Sequence, residues 1–190
     1  MSDRKGSFVL LFIIALAALG FSGYLTVDKF FLTPKPENLT DDSLILVGLW
    51  NGLEENVEYA PWNSGASWLV EFPDNLYNDS NHISVSSNST RFQLLQKGFY
   101  KITVLLLFYG LDSLSDTIYW AVLLRNSTIE GYFERIGVPA NPITAYYIVQ
   151  ASFYVESTGL DNFAINCYST GDSFSLSASG INQLSIEYAQ

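Results

Sequence analysis

The apolar and polar positions of this chain follow two regimes. From Ser7 to Val27 the sequence runs without a charge. At about 1.5 Å per helical residue the run crosses a hydrocarbon layer of about 30 Å. It therefore predicts one N-terminal transmembrane α-helix, with Ser7, Phe8, Leu11, Ile14, Leu19 and Val27 along its length. Further on, the pattern shifts to short stretches of period two. In Gln183-Leu-Ser-Ile-Glu-Tyr188, Leu184, Ile186 and Tyr188 alternate with polar neighbours, as in a strand with one buried and one wet face. Similar signals predict strands over Leu44–Trp50, Ser67–Phe72, His82–Val85, Arg91–Leu95, Phe99–Tyr109 and Thr117–Arg125. They continue over Ile129–Arg135, Ala145–Val155, Asn162–Tyr168, Ser173–Ser177 and Gln183–Tyr188. Turn residues separate them, including Asn63-Ser-Gly65, Thr158-Gly-Leu-Asp161 and Thr170-Gly-Asp172. Many short strands without a helical pattern predict an all-β sandwich or closed roll. Past Thr103, the Lys101–Phe108 strand is apolar on both faces, so it is expected to be covered twice, by the second sheet and by another subunit.

The flanks of the apolar run set the layout. Arg4 and Lys5 precede it, so the positive-inside preference makes residues 1–6 a short cytoplasmic tail and places everything past the 7–27 helix outside. Pro34 and Pro36 then break regular structure in an extended stalk, 28–43, before a domain over 44–190. This layout puts the protein at the cell membrane, single-pass, with its C-terminal domain outside. Two other readings of the segment compete. Ala15-Leu-Ala17 resembles the cleavage site of a secretory signal, and Arg4-Lys5-Gly6 resembles that of pilin precursors, although Leu11 stands where those carry Glu. All three readings export the rest of the chain.

Composition narrows the function. A net charge of −10 with 9 Lys and Arg excludes a phosphate-binding surface, and so nucleic acid. The single cysteine, Cys167, allows no intrachain disulfide, and its strand-like surroundings mark it as a buried small hydrophobe. The single histidine, His82, supplies neither a hydrolase triad nor, with one Cys, a zinc site. Asp41-Asp42, Glu54-Glu55, Asp112 with Asp116, and Asp172 could offer oxygen ligands to calcium, but none shows the spacing of a dedicated loop. No cofactor is expected, calcium being the one ion such loops could take, and the chain reads as non-enzymatic. Asn38, Asn78, Asn88 and Asn126 open N-x-Ser/Thr sequons suited to an exported glycoprotein.

The aromatic residues offer a surface for a protein or glycan ligand. Neighbours on a strand point to opposite faces, so Tyr146 and Tyr147, or Tyr119 and Trp120, cannot both be core. Phe99, Tyr119 and Tyr147, or their pair-mates, are the candidate subunit interface of a homotrimer.

Thr90-Arg-Phe-Gln-Leu-Leu-Gln-Lys-Gly98-Phe-Tyr100-Lys-Ile-Thr-Val reads as a strand, a turn, and a Gly-x-Tyr-x-hydrophobic strand. Together with Trp120-Ala-Val-Leu-Leu-Arg-Asn126, Ala151-Ser-Phe-Tyr-Val, Thr170-Gly-Asp172 and the closing Asn182–Tyr188 strand, it resembles the tumour necrosis factor/C1q-like jelly rolls. The resemblance covers the chain from about Leu44 to the C-terminus. It implies a two-sheet antiparallel jelly-roll sandwich, commonly a homotrimer whose subunits meet through aromatic and aliphatic faces. Tail, helix, stalk and head also match the layout of that family's membrane-bound ligands. No collagen-like Gly-x-y repeat precedes the head. The implied function is binding or adhesion. The alternative is a structural subunit of an extracellular filament, surface layer or virion shell, assembled through the jelly roll and the N-terminal segment.

Overall fold

The computed structural model describes residues 43–52, 57–59, 69–86, 88–111, 115–140, 145–171, 173–176 and 181–189. In chain order the strands are β1 (Leu44–Asn51), β2 (Val57–Tyr59), β3 (Asp74–Asn78), β4 (Ile83–Val85), β5 (Phe92–Leu94) and β6 (Lys97–Tyr109). They continue as β7 (Thr117–Arg125), β8 (Thr128–Val138), β9 (Tyr146–Thr158), β10 (Asn162–Ser169), β11 (Phe174–Leu176) and β12 (Gln183–Ala189). A seven-stranded sheet runs β2-β11-β6-β12-β1-β3, with β9 on the other side of β6, and a five-stranded sheet runs β4-β5-β10-β7-β8. Every pairing is antiparallel. The all-β, two-sheet sandwich expected from the sequence is therefore present. The segment Ser7–Val27 and residues 28–42 of the stalk, Asn38 among them, lie outside the described residues. Among the described residues no helix is long and apolar enough to cross a membrane.

Period-two patterning decides which face of each strand is core. On β6, Tyr100, Ile102, Val104, Leu106 and Phe108 are buried, while the residues between them are partly exposed. β6 pairs with β9 along its whole length, Lys97 opposite Thr158 through to Tyr109 opposite Tyr146, so both strands alternate in phase. Leu184 and Ile186 on β12 join them from the other side. The opposing sheet contributes Tyr119, Ala121 and Leu123 of β7 and Phe163, Ile165 and Cys167 of β10.

Among the described residues, aromatic rings carried on strands bridge the two sheets in three places. Trp50 of β1 meets Phe92 of β5 at 4.8 Å between centroids, Phe153 of β9 meets Phe133 of β8 edge-on at 5.1 Å, and Phe174 of β11 meets Tyr119 of β7 edge-on at 5.2 Å. Two glycines make room for these rings. A Cβ on Gly48 would collide with the Trp50 indole, and one on Gly131 would collide with the Phe153 ring.

The sequence reading departs from the structure in three elements, the first being β2, Val57–Tyr59, which no expected strand covers and which pairs with β11. The strand expected over Ser67–Phe72 is, among its described residues, a single bridge between Leu69 and Asn166. Val70 and Phe72 instead donate backbone N–H bonds to Ile165 and Ser89 while their side chains enter the core. Pro73 follows, supplies no N–H and ends the ladder. Conversely, Asp74-Asn-Leu-Tyr-Asn78 was not expected as a strand because it lacks an apolar face. It forms β3 on backbone pairing with β1 at the sheet edge, with four of its five residues exposed.

Gly48→Ala and Gly131→Ala should each lower unfolding free energy by about 1–3 kcal/mol through overpacking. Urea denaturation of the two variants reads this directly, and unchanged midpoints in both would show that the rings have space to move.

Candidate functional site

The outward face of the seven-stranded sheet is built from the residues between the core positions. Because antiparallel partners share a face, it can be followed in cross-strand rows. One row runs Tyr77, Leu49, Ser185, Thr103 and Ser152, the last two hydroxyls 2.8 Å apart. Its neighbour holds Leu46, Glu187, Lys101 and Tyr154, with Lys101 Nζ 3.2 Å from Glu187 Oε2. Another holds Asp74, Asn51, Gln183, Leu105 and Gln150, where Gln183 donates to Asn51 Oδ1 at 3.4 Å and Asn51 donates to Asp74 Oδ2 at 3.0 Å.

Towards the end of β6 the partners on β9 turn apolar or aromatic, while on the other side Tyr109 stands opposite Ser175 of β11. Leu107 stands opposite Ile148 and Tyr109 opposite Tyr146, with the two tyrosine rings 5.0 Å apart. Ile148 and Tyr146 are exposed. The face is thus polar and internally bonded over its middle rows and, along the β6–β9 pair, apolar at one end.

The three interface residues expected from the sequence occupy three different places. Phe99 is on this outward face, at the other end of β6, and is exposed. Tyr147 is exposed too but points to the core side, at the sandwich margin, where its hydroxyl donates to Glu134 Oε2 at 3.4 Å. Burial, and then the Glu134 carboxylate, raise its phenol above the ordinary range. Tyr119 is the correction: it is fully buried against Phe174 and cannot meet a second copy. Its pair-mate Trp120 faces away from the core, stacked on Tyr168 at 4.8 Å with the Arg135 guanidinium 5.8 Å above the indole. Sequence alternation gave two opposite faces for each aromatic pair, but only strand register shows which member turns inward.

The candidate chemical groups have structural partners. His82 Nδ1 lies 2.7 Å from Asp79 Oδ2, and its ring packs on Tyr188 at 4.9 Å. The Asn81 backbone N–H, then the His82 ring, hold the Asp79 carboxyl below its usual range. Cys167 is completely buried, and that burial pushes its thiol far up, so it stays protonated. Asp116 accepts the Ala140 N–H at 3.0 Å. Asp41-Asp42, Glu54-Glu55, Asp112 and Asp172 lie outside the described residues. Among the described residues no three His, Cys, Asp or Glu side chains gather to hold a metal.

Three sequon asparagines are described, and they differ. Asn126 and Ser127 form the two-residue turn joining β7 to β8, with φ of 49° and 71°, the left-handed pair of a type I′ hairpin. Its backbone N–H donates to Asn162 O at 2.8 Å, and its Oδ1 accepts the Asn162 N–H at 3.0 Å. The side chain thereby adds one rung to the β7–β10 ladder. Its Nδ2 donates to Asp161 Oδ1 at 3.2 Å. The other oxygen of this buried carboxylate accepts the Thr158 N–H at 2.7 Å and the Thr158 hydroxyl at 2.9 Å, clamping the β9–β10 turn. Burial alone would push Asp161 up, but the Thr158 and Asn126 hydrogen bonds and the Arg125 charge outweigh it and hold the carboxyl below its ordinary value. Asn78 belongs to β3 with Oδ1 buried. Asn88 is exposed in the β4–β5 loop, its Oδ1 accepting Ser86 Oγ at 2.8 Å and Thr90 Oγ1 at 2.9 Å.

No family model matches the chain, and no curated protein matches it. Among solved structures the chain is similar to murine APRIL, crystallised at pH 8.0, with 14% identity and a TM-score of 0.50 over 75% of this chain and 98% of that one. It is also similar to the Eiger TNF of S. frugiperda, with 20% identity and a TM-score of 0.47 over 76% and 93% of the respective chains. The likeness to the first shows the fold alone, a two-sheet antiparallel sandwich of the jelly-roll kind.

Asp161→Asn should destabilise the head by about 1–3 kcal/mol, since an amide cannot accept from Thr158 and Asn126 as a carboxylate does. A carboxyl depressed in the folded state stabilises fully above its unfolded pKa of about 3.9 and loses that contribution as pH falls through the lower folded value. Denaturation midpoints below about pH 4 should therefore fall less steeply in the variant than in the parent. Parallel acid slopes would assign the sensitivity elsewhere.

Proposed function

We propose that this protein is exported and held at a cell membrane by Ser7–Val27, and that its jelly-roll head acts by binding, as a homotrimer, and not by turnover. The observation that carries this reading is the apolar end of the outward sheet face, where Tyr146 is 64% and Ile148 57% exposed. Large apolar side chains grouped on one face remain in water at a cost that a subunit contact removes, and aromatic residues are enriched at such contacts. The adjoining polar rows already satisfy one another, so they can form the rim of a contact without losing hydrogen bonds.

The resemblance read from the sequence supports the trimer, and the uncharged run behind Arg4 and Lys5 supports the anchor and its orientation. Pro34 and Pro36 in the stalk would hold the head clear of the bilayer.

The detergent-solubilised full chain should show a protein mass of three copies by multi-angle light scattering, and Ile148→Asp should reduce it to one. A parent that is monomeric at every concentration would overturn the trimer, and a continuous ladder of masses would point to open-ended assembly. Alkaline carbonate washing should leave the chain in the membrane pellet. Recovery in the supernatant would overturn the anchor.

A further inference from the structure

We infer that Asn88 is the N-glycan acceptor among the described sequons, and that the Asn126 sequon is a structural element that carries no glycan. The inference rests on the export reading, because the sugar donor, a lipid-pyrophosphate-linked oligosaccharide, is met only in the export compartment. In the transfer, Asn88 Nδ2 forms a bond to the first carbon of the sugar as that carbon's bond to the pyrophosphate oxygen breaks. The nitrogen loses one proton, and the lipid pyrophosphate departs.

The folded head separates the three sequons by what each carboxamide already does. At Asn88 two loop hydroxyls, those of Ser86 and Thr90, hold the oxygen, so the nitrogen end of an exposed side chain is turned away from the loop. Thr90, the sequon hydroxyl itself, is buried and fixed in that bond, while the backbone of Ser89 accepts the Phe72 N–H at 3.0 Å. The loop is thus anchored beneath the acceptor.

Asn126 has no such freedom. Its oxygen is bonded to Asn162 N and its nitrogen to buried Asp161, so a sugar on Nδ2 would have to enter the clamp between two turns. At Asn78 the carboxamide oxygen is buried within a paired strand, and the next residue, Asp79, binds His82 and Asn81.

Location adds a second argument. Asn88 lies between β4 and β5 at the margin of the five-stranded sheet, whereas the apolar contact face belongs to the other sheet. A glycan there leaves that face open. It also stands beside β4, an outer strand in the described pairing, where it would obstruct edge-to-edge addition of another chain.

The test expresses the full chain in a eukaryotic secretory host. Glycans are released by amidase in heavy-oxygen water, which converts each formerly occupied Asn to labelled Asp, and peptides are read by mass spectrometry. Protease protection of sealed vesicles from the same preparation reports the side on which the head lies. The expected result is a protected head labelled at Asn88 and unlabelled at Asn78 and Asn126. Asn88→Gln should abolish the label. Asn126→Gln should keep the label and lower the melting temperature. A protected head without label at Asn88, or with label at Asn126, would overturn the assignment and leave the export reading standing. An unprotected, unlabelled head would overturn both.

Discussion

The two sheets of the head are joined by ring contacts that reach across the space between them. Trp50 on Phe92, Phe153 on Phe133 and Phe174 on Tyr119 tie β1 to β5, β9 to β8 and β11 to β7. Each contact fixes the distance between sheets at one point, and three points fix a plane. The strand registers then have little freedom, because a one-residue slip would send every inward ring to the outer face. Gly48 and Gly131 belong to this arrangement as much as the rings do, since each leaves the volume that an indole or phenyl fills. The regular alternation of the outward face follows from the same registers: its polar rows and its apolar end are the remainder left after the core has taken every second residue.

Most of this architecture was legible in the sequence, and the exceptions have physical causes. Strands with one apolar face, such as Gln183–Ala189, declare themselves by period two. β3 does not, because its pairing with β1 is made by backbone at an edge where side chains remain in water. The reverse error at Ser67–Phe72 arose where apolar residues serve the core from a segment that crosses between sheets and makes only one bridge. The apolar end of the outward face was partly visible, in the doubly apolar run of β6. Its complement on β9, Ile148 and Tyr146, needed the β6–β9 register before it could be assigned. The Asn126–Asp161 clamp had a sequence signal in two turn motifs, but nothing linear indicated that the turns touch.

Several charged and polar groups among the described residues serve structural roles. Asp79 is bonded to His82 and to the Asn81 N–H, Asp161 holds Thr158 and Asn126, and Lys101 pairs with Glu187 on the sheet surface. Cys167 is sealed in the core. Each of these groups is committed to the geometry of the fold.

The hairpin turn at Asn126 and Ser127 shows how one string of letters can satisfy two readers. Asparagine suits the left-handed turn, and a β-branched threonine suits the first position of the returning strand. Turn followed by strand therefore spells Asn-x-Thr on folding grounds alone. In a β-rich exported protein, selection for tight hairpins will keep generating the letters of a modification signal. Where such a signal coincides with a two-residue turn whose asparagine side chain is pairing like backbone, the letters record the fold's requirements before they record those of any enzyme.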